Sequence, residues 1–446
     1  MQKILMIAYY FPPVAGGGVQ RTSKFVKYLP EFKWKPHVLT VKSGYDYYAD
    51  NSLVNDISKD VFVFRTFSFE PMKLVRKVVK KMAEYRNVKK GNKIIKQGKI
   101  KKYPWLLFIK ESIFIPDGEI GWLPFAILKG WRIIKKYNID LIYSTSCPYT
   151  DHLVAYFLKK LTRKPWIADF RDPWSLHLKA PQFTWRKFMD RNLEKLVLRN
   201  TNKTISVTKN IVDDFKRIYP AGNYGVIPNG YDEADFSNTR SQNYRIGKFN
   251  ITYTGIFYKE RSPKDFLLAV AELLKEKPEL KNDIVIRFVG QLDNPGDADN
   301  YNILKSLKLG PVVELIPYVS HKESIRYLSS ANVLLLIVDQ VKNNEGIMTG
   351  KIFEYLRSGK TILALIPPDG VAARVIRETN SGMVIEPASI DQIKTGLWDL
   401  YQHHKNATLE GLFKRKEIAK YSRRNLTKML VKECDDLLHQ FRQGGN

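Results

Sequence analysis

Short apolar runs that read as buried strands alternate with amphipathic helical stretches along nearly the whole chain, and the alternation restarts once. Residues 140–144 (DLIYS), 166–170 (WIADF) and 203–208 (KTISVT) belong to the first series. Residues 250–255 (NITYTG), 283–290 (DIVIRFVG), 333–338 (VLLLIV) and 361–366 (TILALI) belong to the second. Strands that are apolar on both faces need helices on either side, and strand–helix repetition of this kind builds a parallel sheet. A polar, irregular segment, 238–250 (NTRSQNYRIGKFN), separates the series, and 446 residues exceed what one ordinary core accommodates. We expect an α/β protein with two doubly wound domains, 1–237 and 238–420, followed by a helical segment, 421–446.

Such sheets hold ligands at the carboxyl ends of their strands. Three stretches fall there. Gly16, Gly17 and Gly18 form a turn between the first strand and the first helix, without the spacing of a dinucleotide fingerprint. Asp169, Arg171 and Asp172 close the strand IADF. The third stretch, 343–368 (NNEGIMTGKIFEYLRSGKTILALIPP), reads as a loop, a helix from Lys351 to Gly359, and a buried strand. A glycine-bearing loop entering a helix leaves backbone N–H groups for an anion, Gly350 stands at that entry, and Lys351 adds charge. Glu354, one turn on, has a carboxylate that accepts hydrogen bonds from two neighbouring hydroxyls. A diphosphate held beside a diol describes a nucleotide sugar. An ordinary surface helix with a Lys/Glu pair reads the same locally.

Charge narrows the partners. The formal net charge is +28. Residues 73–102 carry 13 Lys and Arg against one acid, Glu84, and so supply +12 of it. In their first half Leu74, Val75, Val78, Val79 and Met82 form an apolar stripe, which makes a cationic amphipathic helix suited to an anionic membrane surface. The aromatic-rich stretch that follows either continues that surface, to about residue 125, or enters the core. Nucleic acid is the other polyanion such a charge attracts, but no nucleic-acid-binding module accompanies it. No run approaches the ~20 apolar residues of a spanning helix. Two distant cysteines, Cys147 and Cys434, fit a reducing compartment without a disulfide framework. Metal-ligand spacing is missing except for Asp297-Ala298-Asp299 in a loop, read as chance.

PPVAGGGVQR near the start, VIPNGYDEADF at the junction, YTGIFYKERSP in the second series and TGKIFEYLRSGK near the end resemble, in order and spacing, the retaining glycosyltransferases of family 4. DFRDPW and IPDGEIGW resemble a subgroup from bacterial cell-surface polysaccharide clusters. The resemblance implies the glycosyltransferase-B fold: two Rossmann-like domains facing a cleft, with the C-terminal helix crossing back to the first domain. It implies a donor held mainly by the second domain, with Glu354 on the ribose hydroxyls and Lys351 and Arg261 clamping the diphosphate as the catalytic cations. Gly16, Gly17 and Gly18 would lie near the donor phosphate or acceptor. Asn229 and Gly230 belong to the junction motif, read as structural.

The chain departs from the family pattern at three places. The partner glutamate of Glu354 stands one residue out of register at Glu345. Gly255-Ile256 replaces the usual Gly-Arg, leaving Lys259 and Arg261 to supply charge. Arg171 stands where many members have a histidine, so Asp172 or His152 is left to offer a polar contact there, with His152 read first as structural. The implied reaction is front-face transfer to a hydroxyl of a lipid-linked or other glycan acceptor, needing no cofactor and no metal, at the cytoplasmic face of the membrane. A nucleotide-sugar epimerase of the same fold and a basic nucleic-acid-binding protein are the alternatives.

Overall fold

The computed structural model describes residues 1–14, 17–42, 53–69, 114–176, 183–237, 247–294, 297–342 and 344–443. The basic segment 73–102, Gly16 and most of the polar linker lie outside these residues. The chain divides into two units, one formed by Met1–Pro228 with Arg424–Asn446, the other by Asn229–Arg423.

Among the described residues, unit 1 is built on seven strands: β1 (Gln2–Ile7), β2 (Trp34–Val41), β3 (Phe62–Thr66), β4 (Leu141–Ser146), β5 (Trp166–Phe170), β6 (Lys203–Ser206) and β7 (Tyr224–Val226). They pair in parallel in the order β3-β2-β1-β4-β5-β6-β7. Side chains alternate along each strand, so one sequence feeds two cores. Leu5, Ile7, Leu39 and Ile142 pack with Ile133 and Leu158 of the helices Leu123–Tyr137 and Thr150–Thr162. Ile4, Met6, Val38 and Leu141 point the other way, onto Phe25 of the helix Gly17–Tyr28 and onto the C-terminal helix Arg423–Gln443. That last helix presents Leu426, Leu430, Val431, Cys434, Leu437 and Leu438, a stripe at helical spacing that is buried throughout.

Unit 2 repeats the plan with β8 (Phe249–Ile256), β9 (Ile284–Gln291), β10 (Val313–Ile316), β11 (Val333–Ile337), β12 (Thr361–Leu365) and β13 (Gly382–Ile385). Their order is β10-β9-β8-β11-β12-β13, again all parallel. Leu335 and Leu363 face the helices Lys264–Glu276 and Ile390–Lys405, whereas Leu334, Leu336 and Ile362 face the helices His321–Ser330, Lys351–Ser358 and Val371–Glu378.

Two boundaries move relative to the sequence reading. Residues 229–237, assigned from sequence to the first domain, sit in unit 2. The Tyr231 N–H donates to the Tyr421 carbonyl at 3.1 Å, the Arg423 N–H donates to the Tyr231 carbonyl at 2.7 Å, and the Tyr231 ring is buried with Ile325 and Phe353. The same pairing keeps 421–423 in unit 2, so the return to unit 1 comes at Arg424. Of the two readings left open for the aromatic stretch, part of it takes the second and enters the core. Trp122 is fully buried, edge-on to Tyr9, and its indole N–H donates to Thr66 Oγ1 at 2.6 Å.

Candidate functional site

A doubly wound sheet opens a crevice where strand order reverses, outside the carboxyl ends of the two strands concerned. In unit 2 these strands are β8 and β11. Beyond β8 the chain makes a tight turn in which Tyr258 and Arg261 exchange backbone hydrogen bonds at 3.0 and 2.8 Å. Beyond β11 comes Asp339. Its carboxylate receives Arg261 Nε at 2.7 Å and the Tyr258 hydroxyl at 2.6 Å, so one acid ties the two strand ends together.

The helix Lys351–Ser358 starts beside this pair. Lys351 Nζ donates to the Tyr253 hydroxyl at 2.8 Å and lies 4.2 Å from the centre of that ring. It reaches the strand end because position 255 has no side chain. A Cβ there would fall 2.2 Å from Lys351 Nζ, and the backbone φ of +126° is itself a glycine conformation. Gly290, its register partner on β9, has φ +130° and passes so close that a Cβ would meet the Gly255 carbonyl oxygen at 2.2 Å. Burial, with Arg261 adding like-charge repulsion, lowers the Lys351 ammonium to about 7. Gly350, the N-cap, supplies no side chain to the helix, so the first-turn N–H groups are not capped by one.

Glu354 lies one turn along. Burial alone would raise its carboxyl, but His321, Arg423 and Lys351 outweigh that and hold it below the ordinary range. His321 Nε2 donates to Glu354 Oε1 at 2.9 Å. The site therefore offers two cations, a helix N-terminus and an oriented carboxylate within one unit. It can hold a diphosphate and accept hydrogen bonds from hydroxyls.

Other expected positions are more dispersed. Lys259, Glu345 and Gly350 are exposed, with Glu345 in the turn Asn344–Gly346. In unit 1, Gly17 and Gly18 are not a loop but open the helix Gly17–Tyr28. Gly18 leaves room for Arg171, whose Nη1 would lie 1.3 Å from a Cβ there. Arg171 donates through Nε to the Ser146 carbonyl and through Nη2 to the Cys147 carbonyl, the latter at 2.6 Å, and so fastens the end of β4. Asp172 is exposed. Asp169 is fully buried and receives Arg21 Nε at 2.7 Å and Nη2 at 2.9 Å. His152 is buried on Phe170 with Nδ1 2.8 Å from Ser144 Oγ, and burial lowers it to about 3, a neutral core imidazole. Asp299 begins the helix Asp299–Ser306, and Asp297 is in the preceding loop.

Sequence reasoning missed Tyr253, His321 and Asp339. Asp339 carried a weak signal, an acid directly after the buried run VLLLIV.

Residues 97–235 match the family profile described as Glycosyltransferase Family 4, and residues 237–423 match that described as Glycosyl transferases group 1. A D-inositol 3-phosphate glycosyltransferase from Nocardioides sp. (strain ATCC BAA-499 / JS614) is 27% identical over 145 residues, which span 30% of this chain and 30% of that protein. Among solved structures, sucrose-phosphate synthase from Thermosynechococcus elongatus superposes with a TM-score of 0.67 at 15% identity, covering 99% of this chain and 100% of its own. A glycosyltransferase from Rickettsia africae ESF-5 gives 0.59 at 15% identity, covering 98% of each chain.

Proposed function

The chain belongs to the group 1 glycosyltransferases, and from that premise we propose that it moves a sugar from a nucleotide-diphosphate donor to a hydroxyl of a glycan acceptor with retention. The observation that carries this reading is the convergence of Lys351, Arg261 and the helix N-terminus on one strand end, with Glu354 one turn away. In this reading the cations and N–H groups balance the charge that develops on the departing diphosphate. Glu354, steadied by His321, accepts the ribose hydroxyls. The acceptor hydroxyl attacks on the face the diphosphate leaves, so positioning and charge stabilisation replace a protein nucleophile.

The test is release of nucleoside diphosphate from a panel of uridine and guanosine nucleotide sugars, with membrane extract as acceptor. Release with at least one donor is expected; none with any donor would overturn the reading. Glu354→Ala should weaken donor binding by about tenfold or more, as expected for losing a charged hydrogen-bond acceptor. Donor affinity equal to wild type in a folded variant would remove Glu354 from the site.

The acceptor is read as lipid-linked, used in cell-surface polysaccharide synthesis on the cytoplasmic face of an anionic membrane. Besides the basic segment, the support is an apolar and basic helix surface in unit 1. No described helix is long and apolar enough to cross a membrane. Phe125, Leu128 and Trp131 on the helix Leu123–Tyr137, and Leu161 on its neighbour, are exposed beside Arg132, Lys135 and Lys136. Aromatic and aliphatic side chains among basic ones suit the headgroup zone. Co-sedimentation with phosphatidylglycerol-containing vesicles is expected, with little binding to phosphatidylcholine alone. Leu128→Glu with Trp131→Glu should weaken it by about tenfold or more, from lost apolar burial and added repulsion. Equal binding to both vesicle types would refute the electrostatic part.

A further inference from the structure

The sheet of unit 2 holds a cavity of about 270 Å³ at its amino-terminal edge, opposite to the strand ends that carry Arg261 and Asp339. Asn332, just before β11, forms one wall with Gly359, Lys360 and Thr361, which lead from the helix Lys351–Ser358 into β12. Leu409 and Glu410, beyond the helix Ile390–Lys405, form the other. An apolar cavity of about 150 Å³ already holds benzene, so this one has room for a small metabolite.

The wall presents hydrogen-bond donors that the protein does not use. Thr361 is 5% exposed, yet its hydroxyl has no hydrogen-bond partner among the described residues. The Asn332 carboxamide accepts the Asn250 N–H at 2.8 Å through Oδ1, while its Nδ2 donates to none of those residues. Among them the Lys360 ammonium reaches only Glu410, at 3.7 Å, and that carboxylate is 91% exposed at the rim.

A second cation stands behind Lys360. Arg415 donates through Nη2 to the Lys360 carbonyl, and its Nε is buried without a partner. Burial lowers the guanidinium, and no acid opposes that effect. His404, also in the lining, is pushed below its ordinary value by burial and by Lys405, so it adds no charge at neutral pH. Buried donors without partners cost free energy, and a ligand that accepts from them recovers it. Negatively charged oxygens accept from all three side chains and offset the two cations, which a neutral ligand does not do.

We propose that this cavity is a second ligand site, for a small metabolite bearing an oxyanion (a phosphate or a carboxylate), held by Lys360, Thr361 and Asn332. Leu409 packs on the apolar part of the ligand. Arg415 contributes its field through the wall rather than a contact. The site shares no residue with the donor site, so it stands apart from the donor reading.

The experiment uses the full chain and three small probes, glycerol 3-phosphate, malonate and glycerol, with calorimetry as the readout. The donor site also attracts anions, so each titration is repeated on Lys351→Ala. At least one of the two anions should bind wild type and glycerol should not; the tighter anion identifies the oxyanion. Lys360→Gln should weaken binding by about tenfold or more, and Thr361→Val severalfold, at unchanged melting temperature. Thr361→Val keeps the side-chain shape, so it reads the hydroxyl even where Lys360→Gln disturbs the wall. Lys351→Ala should bind the anion as wild type does. Binding of neither anion, equal binding of glycerol, or affinity that both cavity variants retain overturns the proposal. Loss of the anion in Lys351→Ala overturns it too, by placing that anion in the donor site. No arm needs a nucleotide, so failure here leaves the donor reading standing, and failure of nucleotide binding leaves this site standing.

Discussion

Lys351→Ala is expected to lower sugar transfer by about a hundred- to a thousandfold, the usual effect of removing one preorganised donor aimed at developing charge. The physical case is specific to this strand end. Gly255 provides the space for the side chain and Tyr253 holds its ammonium by the hydroxyl at 2.8 Å. Single-turnover kinetics with a saturating donor should show the loss in the transfer step rather than in binding alone. A variant that folds and transfers at the wild-type rate would refute the role.

The same residue sets a pH dependence. With its pKa near 7 in the free protein, Lys351 is charged below that value and largely neutral above it. A nucleotide sugar has no phosphate that titrates near neutrality, and its diphosphate favours the charged ammonium. Donor affinity should therefore be flat below pH 7 and fall by up to about tenfold per unit above it, flattening in Lys351→Met. In the unliganded protein the sign reverses. The pKa is lowered on folding, so between the ordinary value of 10.5 and about 7 the unfolded chain binds the extra proton, and Lys351 costs stability as pH falls through that window.

Asp169→Ala in unit 1 is expected to cost about 3–5 kcal/mol, the range found when one partner of a buried ion pair is removed. Arg21 and Asp169 are both fully buried, and Arg21 also donates to the carbonyls of Ile227 and Pro228, each at 2.9 Å. Removing the acid leaves the guanidinium uncompensated and takes from the Tyr143 hydroxyl its acceptor. All tryptophans but Trp398 lie within residues 1–228, so denaturant unfolding followed by tryptophan fluorescence reports mainly on unit 1. Arg21→Met combined with Asp169→Leu should destabilise by less than the two single changes together, because the charges are removed as a pair. Additive costs would show that the pair is not energetically coupled.

Local pattern carried much of this protein. A strand buried on both faces must be apolar almost throughout, so β8, β11 and β12 announced themselves as short runs, and two series of them implied two parallel sheets. Lys351 and Glu354 were legible for a related reason: residues three apart on one helix share a face whatever lies around them. The C-terminal helix was legible as a helix from its spacing, and it starts at Arg423, within two residues of the expected 421.

What gives those groups their chemistry is held by residues remote in sequence. His321 orients Glu354 from 33 residues away, Asp339 pairs Arg261 from 78, and the Tyr253 hydroxyl meets Lys351 from 98. The three glycines near the start read as a turn, but Gly17 and Gly18 are helical, and Gly18 is small to make room for Arg171, which comes from the far end of β5. The sequence alone determined the elements, their parallel pairing and the helix that bears the candidate donor site, because strand burial and helical periodicity are properties of neighbouring residues. Tertiary structure alone decided which groups are charged, paired or left without a partner, because strand order brings those atoms together and no local spacing encodes it.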